Sequence, residues 1–496
     1  MTAIDAETET IEKAAETAKT EYEPVVGMEC HAELLTASKM FCGCENKFGG
    51  EPNTRCCPVC MGMPGALPVM NKKAVEHVMR TALALNCQIN PVAKFDRKNY
   101  FYPDLPKGYQ ISEYDFPIGV TGWLDVEVNG ETKRIHIRRV HLEEDTGKLF
   151  HVVGDESYVD LNRSGVPLME IVTEFPPDIH SADEARAYLT KLRAILTYIE
   201  VCDGKMEEGS LRCEPNVSVR PKGSSTFGTK TEIKNLNSFK AVHKGIDFEV
   251  QRQAAAIENG EPIAQETRGW NEARGVTFSQ RSKEVEQEYR YFPEPDLVPL
   301  HISHEWIEAI RAAMPELPDA RKARFIAEFG ITPQDAGLLT DSRQLADYFE
   351  AAARTSGNPK AAANWMMGDL SRLANAASLD IANGPVSPAN LAAMIHMIGE
   401  GTISGTIAKA LLEKMFETGE EPGVIADREG LKTVRDTGAL MAIVDKVFAE
   451  NADVVTAIKE KGLVNKRGFL VGQVMKQGGG KLDAKDVNAA VDEKLK

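Results

Sequence analysis

Residues 124–137 read Leu-Asp-Val-Glu-Val-Asn-Gly-Glu-Thr-Lys-Arg-Ile-His-Ile, and this stretch decides the fold class of the first part of the chain. Apolar residues alternate with polar ones from Leu124 to Val128, and the alternation returns at Ile135 after the pair Asn129-Gly130. A period of two indicates a strand with one buried face, and Asn-Gly is a strong signal for a two-residue turn. The stretch therefore predicts an antiparallel β-hairpin.

Strand patterns of this kind run from residue 22 to about residue 300, with a few helices among them. Ser181-x-x-Glu184 is a capping box, and the apolar spacing after it predicts a helix to about Glu200. Beyond residue 300 the strand signal fades, and Ser387-Pro388 predicts a helix start. The predicted fold class is α+β, with a β-rich first part and an all-α remainder.

The overall charge and hydropathy exclude two classes of protein. A net charge of -16 opposes nonspecific coating of nucleic acid, and no apolar run approaches the roughly 18 residues that span a membrane. Residues 1–21 form an acidic extension that we expect to be disordered or weakly helical, with no targeting signal, so a cytoplasmic location is expected. Residues 451–496 carry nine Lys/Arg against six Asp/Glu, which fits either a solvated helical face or a nucleic-acid contact.

A cysteine cluster predicts a structural zinc site. Cys42 and Cys44 form one close pair, and Cys57 and Cys60 form a second pair twelve residues later, so four thiolates can enclose one tetrahedral ion. Either Cys56 or Cys57 could be the third ligand. We prefer Cys57, because the Cys57-Pro-Val-Cys60 turn places the sulfurs of Cys57 and Cys60 on one side. The competing interpretation is a buried cluster of reduced thiols. Four protein ligands leave no position for water, so the predicted zinc is structural.

Four strand patterns predict a charged, concave platform. On one strand Glu29 and His31 point to the same face, which suits either a divalent metal with acid–base chemistry or a merely solvated surface. Residues 141–145 read His-Leu-Glu-Glu-Asp, with three carboxylates that repel one another unless cations neutralise them. Glu170 lies inside an apolar strand, where an unpaired carboxylate is costly. A fourth strand, 211–220, alternates polar and apolar residues.

Residues 95–109 interleave cations with aromatic rings, a composition that suits either a base stacked beside phosphates or packed aromatics covered by long basic side chains. Residues 223–231 nearly match a phosphate-binding loop, but Thr229 separates Gly228 from Lys230 and displaces the lysine. We reject that match. Phosphate binding therefore has to rely on a metal ion with Arg or Lys.

Several of these stretches are family signatures. They are residues 27–34 (Gly-Met-Glu-Cys-His-Ala-Glu-Leu), 95–103, 160–170 (Asp-Leu-Asn-Arg-Ser-Gly-Val-Pro-Leu-Met-Glu), 205–213, 289–296 and 468–476. From about Tyr22 to its C-terminus the chain resembles the B-subunit family of the tRNA-dependent aspartyl/glutamyl amidotransferases.

The resemblance implies an ATP-dependent carbon–nitrogen ligase that works in a complex. In this family Glu-tRNA(Gln) or Asp-tRNA(Asn) is bound by the B subunit, which phosphorylates the side-chain carboxylate with ATP. Ammonia that the A subunit releases from glutamine then displaces the phosphate, and the two large chains are braced by a small C subunit. We therefore expect A and C subunits, tRNA(Gln) and/or tRNA(Asn) as partners, with no membrane and no DNA. The alternative is a non-catalytic, zinc-containing tRNA-binding module.

The resemblance also implies an organisation into domains and a magnesium site. The expected organisation is an extension at 1–21, an antiparallel cradle with the zinc cluster at 22–299, the start of a helical domain at 300–350, and a helical domain with a tRNA-binding tail at 351–496. The predicted catalytic and Mg²⁺-binding set is Glu29, His31, Glu144 and Glu170. Glu143 and Asp145 are expected as its outer partners. The residues predicted to contact ATP are Lys98, Tyr100, Tyr102, Lys107, Tyr109, Arg212 and Lys234.

Overall fold

The structure is a computed structural model that describes residues 21–151, 156–282, 289–431, 437–461, 466–478, 482 and 484–495. Apart from residue 21, the predicted N-terminal extension lies outside the described residues. The chain divides into two compact units, one reaching to Leu317 and the other beginning at Pro318. In the residues described, no helix combines the length and the apolar character that crossing a bilayer requires.

The first unit is rich in strands. They are β1 (Tyr22–Glu33), β2 (Gln88–Ile89), β3 (Val92–Ala93), β4 (Phe95–Asn99), β5 (Tyr109–Glu113), β6 (Gly119–Val128), β7 (Glu131–Glu144), β8 (Lys148–His151), β9 (Ser157–Asp160), β10 (Pro167–Thr173), β11 (Leu211–Pro221), β12 (Thr231–Lys234), β13 (Glu266–Asn271), β14 (Val276–Ser282), β15 (Phe292–Pro293) and β16 (Leu300–His301).

One large sheet organises this unit. Its strands follow the order β14-β13-β12-β11-β1-β10-β7-β5-β4-β15, with β6 also paired to β7 and β2 to β6. Among its described strand pairs, β12–β13 is parallel and the others are antiparallel. Strand β1 lies between β10 and β11, so chain segments that are about 140 and 190 residues apart in sequence become neighbours. The polar faces of these central strands meet as a consequence.

The hairpin predicted at residues 124–137 is confirmed. Strands β6 and β7 pair in antiparallel register with Val128 opposite Glu131. The two turn residues, Asn129 and Gly130, have φ of 53° and 84°. Positive φ at both central residues is what a type I′ turn requires, and Asn and Gly adopt it at the lowest cost.

Helices cover one face of the sheet. They are α1 (Lys72–Ala84), α2 (Ala182–Tyr198), α3 (Phe239–Glu258) and α4 (His304–Ala312). Ser181 caps α2 by accepting a hydrogen bond from the backbone N of Glu184 at 3.1 Å, as the capping box predicts. Apolar residues of α1, α2 and α3 pack with Met28, Cys30 and their neighbours on the sheet in one core. The polar residues that alternate with this apolar set therefore point to the opposite face.

Among the described residues of the second unit, every regular secondary-structure element is a helix. Its α-helices are α5 (Pro318–Phe329), α6 (Pro333–Leu339), α7 (Arg343–Ser356), α8 (Pro359–Trp365), α9 (Ser371–Ala376), α10 (Pro388–Gly399), α11 (Gly405–Thr418), α12 (Pro422–Arg428), α13 (Thr437–Glu450), α14 (Ala452–Lys461), α15 (Arg467–Gln477) and α16 (Ala484–Leu495), with a π turn at Met366–Leu370 and a 3₁₀ turn at Ile381–Asn383. Ser387 caps α10 ahead of its first-turn proline, as predicted. The α+β fold class is confirmed.

Candidate functional site

The polar face of the sheet forms the floor of a cavity of about 770 Å³. Alternate residues of four strands line it, because a strand presents every second side chain to one face. They are Glu29 and His31 of β1, Leu168, Glu170 and Val172 of β10, Arg139, His141 and Glu143 of β7, and Arg212, Glu214, Asn216 and Ser218 of β11. The charged concave platform predicted from the strand patterns is thus present.

Two histidines and two glutamates meet in the middle of this floor. The backbone register sets His31 opposite Glu170 and Glu170 opposite His141, so neighbouring strands bring them together. His31 Nε2 lies 3.6 Å from Glu143 Oε1 and 3.5 Å from Glu170 Oε2. His141 Nε2 lies 3.7 Å from Glu143 Oε2 and 3.3 Å from Glu170 Oε2. We call these four residues the imidazole–carboxylate cluster.

Opposite charges hold one another in their ionised forms within this cluster. Burial alone would lower the pKa of His141, but the carboxylates of Glu170 and Glu143 raise it to about 9. Burial likewise opposes ionisation of Glu170, yet His141 and His31 hold the pKa of that carboxyl well below its usual value. Both carboxylates therefore stay ionised at neutral pH, where they can accept hydrogen bonds or ligate a cation.

Glu144 does not belong to this cluster, and the structure places Glu143 there instead. Consecutive strand residues point to opposite faces, so Glu143 joins His141 on the cavity side and Glu144 points away from it. Glu144 Oε1 lies 2.5 Å from Lys107 Nζ and accepts a hydrogen bond from the backbone N of Ile111 at 3.0 Å. Glu144 was predicted to ligate the cation, and the structure places its carboxylate outside this cluster, beside Lys107. The i, i+2 spacing of His141 and Glu143 was the signal in the sequence.

Glu29 belongs to a second group of acids on the same floor. Its Oε1 accepts a hydrogen bond from Asn216 Nδ2 at 2.9 Å. Ligand oxygens of Glu29, Glu214 and Glu232 lie within 4.8 Å of one another, and Lys234 Nζ lies 2.7 Å from Glu214 Oε2. We call these three glutamates the tricarboxylate cluster. No pattern in the sequence singles out Glu214 or Glu232, because strand register alone brings them to Glu29.

In addition to the two clusters, the cavity contains an ion pair between Arg212 and Asp145. An Arg212 terminal nitrogen lies 2.6 Å from Asp145 Oδ2. Burial would raise the pKa of Asp145, but Arg212 and Arg163 lower it, so the carboxylate is ionised. The Glu33 carboxyl near this pair has a pKa raised to about 8 by burial and by Asp145. The floor thus alternates acids and bases along its length.

The residues predicted to contact ATP divide between two cavities. Lys98, Tyr100, Arg212 and Lys234 line the large cavity. Lys107 and Tyr109 instead line a cavity of about 220 Å³ together with Glu144 and Cys60. Tyr102 lines neither cavity among the described residues, and its ring centroid lies 5.8 Å from that of Tyr100. Two aromatic residues of the large cavity, Phe175 and Phe227, were not predicted, because isolated phenylalanines in loops carry no motif.

The four cysteines converge as their spacing predicts. Sulfur atoms of Cys42, Cys44, Cys57 and Cys60 lie within 4.8 Å of one another, and the cluster could hold a metal ion. The sulfur of Cys56 instead donates to the carbonyl oxygen of Asn53 at 3.2 Å, which leaves Cys57 as the member of the cluster. Four thiolates at this spacing fit a closed tetrahedral site.

Comparison with known proteins identifies the family. Residues 24–308 match the GatB/GatE catalytic domain, and residues 347–495 match the GatB domain. The chain belongs to the GatB family. A relative from Carboxydothermus hydrogenoformans is 54% identical over 479 residues, which cover 96% of this chain and 99% of that protein. One from Moorella thermoacetica is 55% identical over 481 residues, covering 96% and 100%.

A third GatB relative, from Brevibacillus brevis, is 54% identical over 475 residues that cover 96% of this chain and 99% of that protein. All three are named as the B subunit of an aspartyl/glutamyl-tRNA(Asn/Gln) amidotransferase. The resemblance found in the sequence signatures is therefore confirmed, and with it the function as one component of a tRNA-dependent amidotransferase.

Proposed function

We propose that this GatB chain binds Glu-tRNA(Gln) and/or Asp-tRNA(Asn), transfers the γ-phosphoryl group of ATP to the side-chain carboxylate, and lets ammonia displace the phosphate. A glutaminase A subunit supplies the ammonia, and a small C subunit completes the complex in the cytoplasm. The observation that carries the proposal is the imidazole–carboxylate cluster, set in a cavity of about 770 Å³ among lysines and arginines.

The chemistry requires activation because a carboxylate is a poor electrophile. Transfer of the phosphoryl group forms an acyl phosphate and ADP, and ammonia then attacks the acyl carbon while inorganic phosphate leaves. Two anions, the carboxylate and ATP, have to meet in the first step, so the site must supply positive charge. When bound, Mg²⁺ would supply that positive charge.

The residues present fit such a cation. Glu143 and Glu170 are ionised and buried, and the tricarboxylate cluster offers oxygen donors alone, which is the donor type that Mg²⁺ prefers. We therefore replace the predicted set by His31, Glu143 and Glu170, with Glu29 acting from the tricarboxylate cluster.

Cationic side chains orient the two anionic substrates. Lys98 Nζ lies 4.9 Å from the ring centroid of Tyr289. Burial would lower its pKa, but Tyr291 and Glu143 raise it, so Lys98 stays charged in the cavity. Arg212 lies opposite His31 in the sheet register, and Lys234 pairs with Glu214 of the tricarboxylate cluster, so both cations are suited to phosphate oxygens.

The remaining predictions become parts of the same proposal. The cysteine cluster holds structural zinc, because its four sulfurs leave no ligand position for a substrate. The helical tail, residues 351–496, binds the tRNA. These roles leave catalysis to the first unit.

The test uses the complete amidotransferase complex with mischarged tRNA, ATP and glutamine or ammonium. Glu170→Gln is expected to reduce tRNA-dependent ATP hydrolysis and amide formation by about 100-fold or more, because the substitution removes a charge from the reacting centre. Glu131→Gln, at an exposed position beside the hairpin turn, is the matched control. Full ATP-dependent amide formation by Glu170→Gln contradicts the proposal and favours a non-catalytic tRNA-binding module.

A further inference from the structure

Strand β7 changes its neighbour on one edge at the position of the imidazole–carboxylate cluster. The register on this edge passes from Val140, opposite Gly119 of β6, to Glu143, opposite Ser112 of β5. The next two residues of β7 after Val140 lie between these two pairs. Because β6 and β5 follow one another along the same edge of β7, the sheet forks at the residues that carry functional side chains.

A buried carboxylate lies in this fork. Glu113 is the last residue of β5 and is 1% exposed. Its Oε2 accepts a hydrogen bond from the backbone N of Leu142 and another from the backbone N of Ile118, each at 3.1 Å. A buried backbone N–H without an acceptor is costly. Glu113 therefore supplies to β7 the acceptor that a neighbouring strand would otherwise provide.

The position of Leu142 connects this hydrogen bond to the cluster. Its chain neighbours, His141 and Glu143, line the large cavity, whereas Leu142 belongs to the apolar core on the opposite face. The residue of β5 before Glu113 also contributes, because Ser112 Oγ donates to Glu143 Oε2 at 3.1 Å. The end of β5 thus holds both the backbone of this β7 segment and one of its functional side chains.

Two further buried atoms involve the same carboxyl group and an imidazole of the cluster. Glu113 Oε1 and His141 Nδ1 have no hydrogen-bond partner in the part of the chain that the structure describes. Burial raises the pKa of Glu113 to about 8, and the charge of His141 opposes this rise. An imidazole N–H and a carboxylate oxygen are complementary, so the second oxygen of Glu113 is available to His141.

We propose that Glu113 is a positioning residue, which holds the imidazole–carboxylate cluster in the geometry that binds a divalent cation. This inference rests on the proposed function, and it adds a residue that acts through the backbone of Leu142. The Glu113 carboxylate fixes where β7 lies between β5 and β6, and with it the separation of Glu143 from His31. Ligands bind a cation tightly when neighbouring groups hold them in place.

Glu113 is less suited to ligate the cation itself. Within the described ranges, the groups of potential ligands whose atoms lie within 4.8 Å of one another include Glu143 and Glu170 but not Glu113. Its Oε2 is also engaged by two backbone N–H groups. The proposed role therefore requires an acceptor oxygen at this position rather than a ligand charge, and two variants separate these properties.

The test measures Mn²⁺ binding to the complete complex by electron paramagnetic resonance, without ATP or tRNA. Mn²⁺ is paramagnetic and takes the carboxylate ligands that suit Mg²⁺, and the binding that Glu170→Gln abolishes identifies the cluster. In Glu113→Leu, which lacks an acceptor, we expect the Kd of this site to rise about tenfold or more, because an outer partner of the ligands is lost. Glu113→Gln retains an acceptor oxygen, so its Kd should stay close to that of the wild type.

Two further measurements separate positioning from a loss of folded protein. Hydrogen exchange at the backbone amide of Leu142 should be faster in Glu113→Leu than in Glu113→Gln, since only the first variant removes the acceptor. In steady-state assays Glu113→Leu should raise the Mg²⁺ concentration for half-maximal ATP hydrolysis more than it lowers kcat.

Gln253→Leu is the matched control for a lost buried hydrogen bond. Gln253 of α3 is buried, and its Nε2 donates to the carbonyl oxygen of Val217 at 3.0 Å. This variant should lower the thermal midpoint of unfolding and leave the Kd of Mn²⁺ unchanged.

Several outcomes overturn the inference. One is a folded Glu113→Leu with the wild-type Kd, and another is an equal loss in Glu113→Leu and Glu113→Gln, which shows that the charge matters rather than the acceptor. If Glu113→Leu does not fold, Glu113→Asp decides, because its shorter side chain withdraws the oxygens from both amides and an unchanged Kd contradicts positioning. If Glu170→Gln itself binds Mn²⁺ as the wild type does, the proposed cation site fails, and the role of Glu113 fails with it.

Discussion

The cysteine cluster and the floor of the large cavity are both groups of potential ligands, but they are built in different ways. The four cysteines lie within 19 residues, and a tight turn and one loop bring their sulfurs together. The imidazole–carboxylate cluster draws on β1, β7 and β10, and His31 precedes its other members by more than 100 residues of chain. Local spacing defines the first site, and strand register defines the second. Variants that impair one site and leave the other intact test this difference.

The largest effect is expected for Glu143 compared with its neighbour Glu144. Glu143→Gln removes a buried charge next to His31 and His141, so tRNA-dependent ATP hydrolysis should fall by about 100-fold. Glu144→Gln changes a carboxylate that points to Lys107 outside the cluster, so the same rate should fall far less. Assays of ATP hydrolysis in the complete complex measure both. The reverse ranking would show that the register does not define the site.

The cysteine cluster should respond in stability before activity. Cys57→Ser removes one sulfur of the four, so bound zinc should be lost and the thermal midpoint of the first unit should drop, because metal binding contributes folding free energy. Cys56→Ser is the matched control, since its sulfur points to the carbonyl of Asn53 and zinc should be retained. Elemental analysis and thermal unfolding measure the two effects. If Cys56→Ser lost zinc and Cys57→Ser retained it, Cys56 rather than Cys57 would be the zinc ligand.

The smallest effect is expected for the pH dependence of stability, and it comes from Glu113, a buried acid in the wall of the large cavity. Burial raises the pKa of Glu113 to about 8, although Oε2 accepts hydrogen bonds from the backbone N of Ile118 and of Leu142 at 3.1 Å each. The folded chain therefore holds this proton to a higher pH than the unfolded chain, and stability falls as the pH rises from the usual glutamate value through 8. Glu113→Gln carries no titrating proton at this position and should lose this part of the pH dependence.

Urea unfolding of the first unit between about pH 5 and pH 8 measures the effect of Glu113. The expected difference in slope amounts to about 1.4 kcal/mol per pH unit at most, because one proton is involved. A parallel pH dependence in wild type and Glu113→Gln would show that the carboxyl is already ionised in the folded chain. Glu131→Gln, at an exposed position, serves as the control.

Sequence reasoning predicted the elements whose cause is local. The β6–β7 hairpin follows from Asn129-Gly130, the start of α2 from Ser181 and Glu184, and the cysteine cluster from its spacing. In each case residues within a short stretch fix the backbone or the ligand geometry. Glu170 was also selected from sequence, because a carboxylate inside an apolar strand requires a partner, and His31 was selected because it shares one strand face with Glu29.

The amino-acid sequence by itself determined the fold class, the family and the presence of a charged strand face. Only the tertiary structure decided that Glu143 rather than Glu144 faces His31, that Glu29 joins Glu214 and Glu232, and that Phe175 meets Phe227. The physical reason is that a strand reverses its facing side with every residue, and that its partner is set by pairing between distant segments. A shift of one residue in register would exchange the two faces, and no local pattern specifies that register.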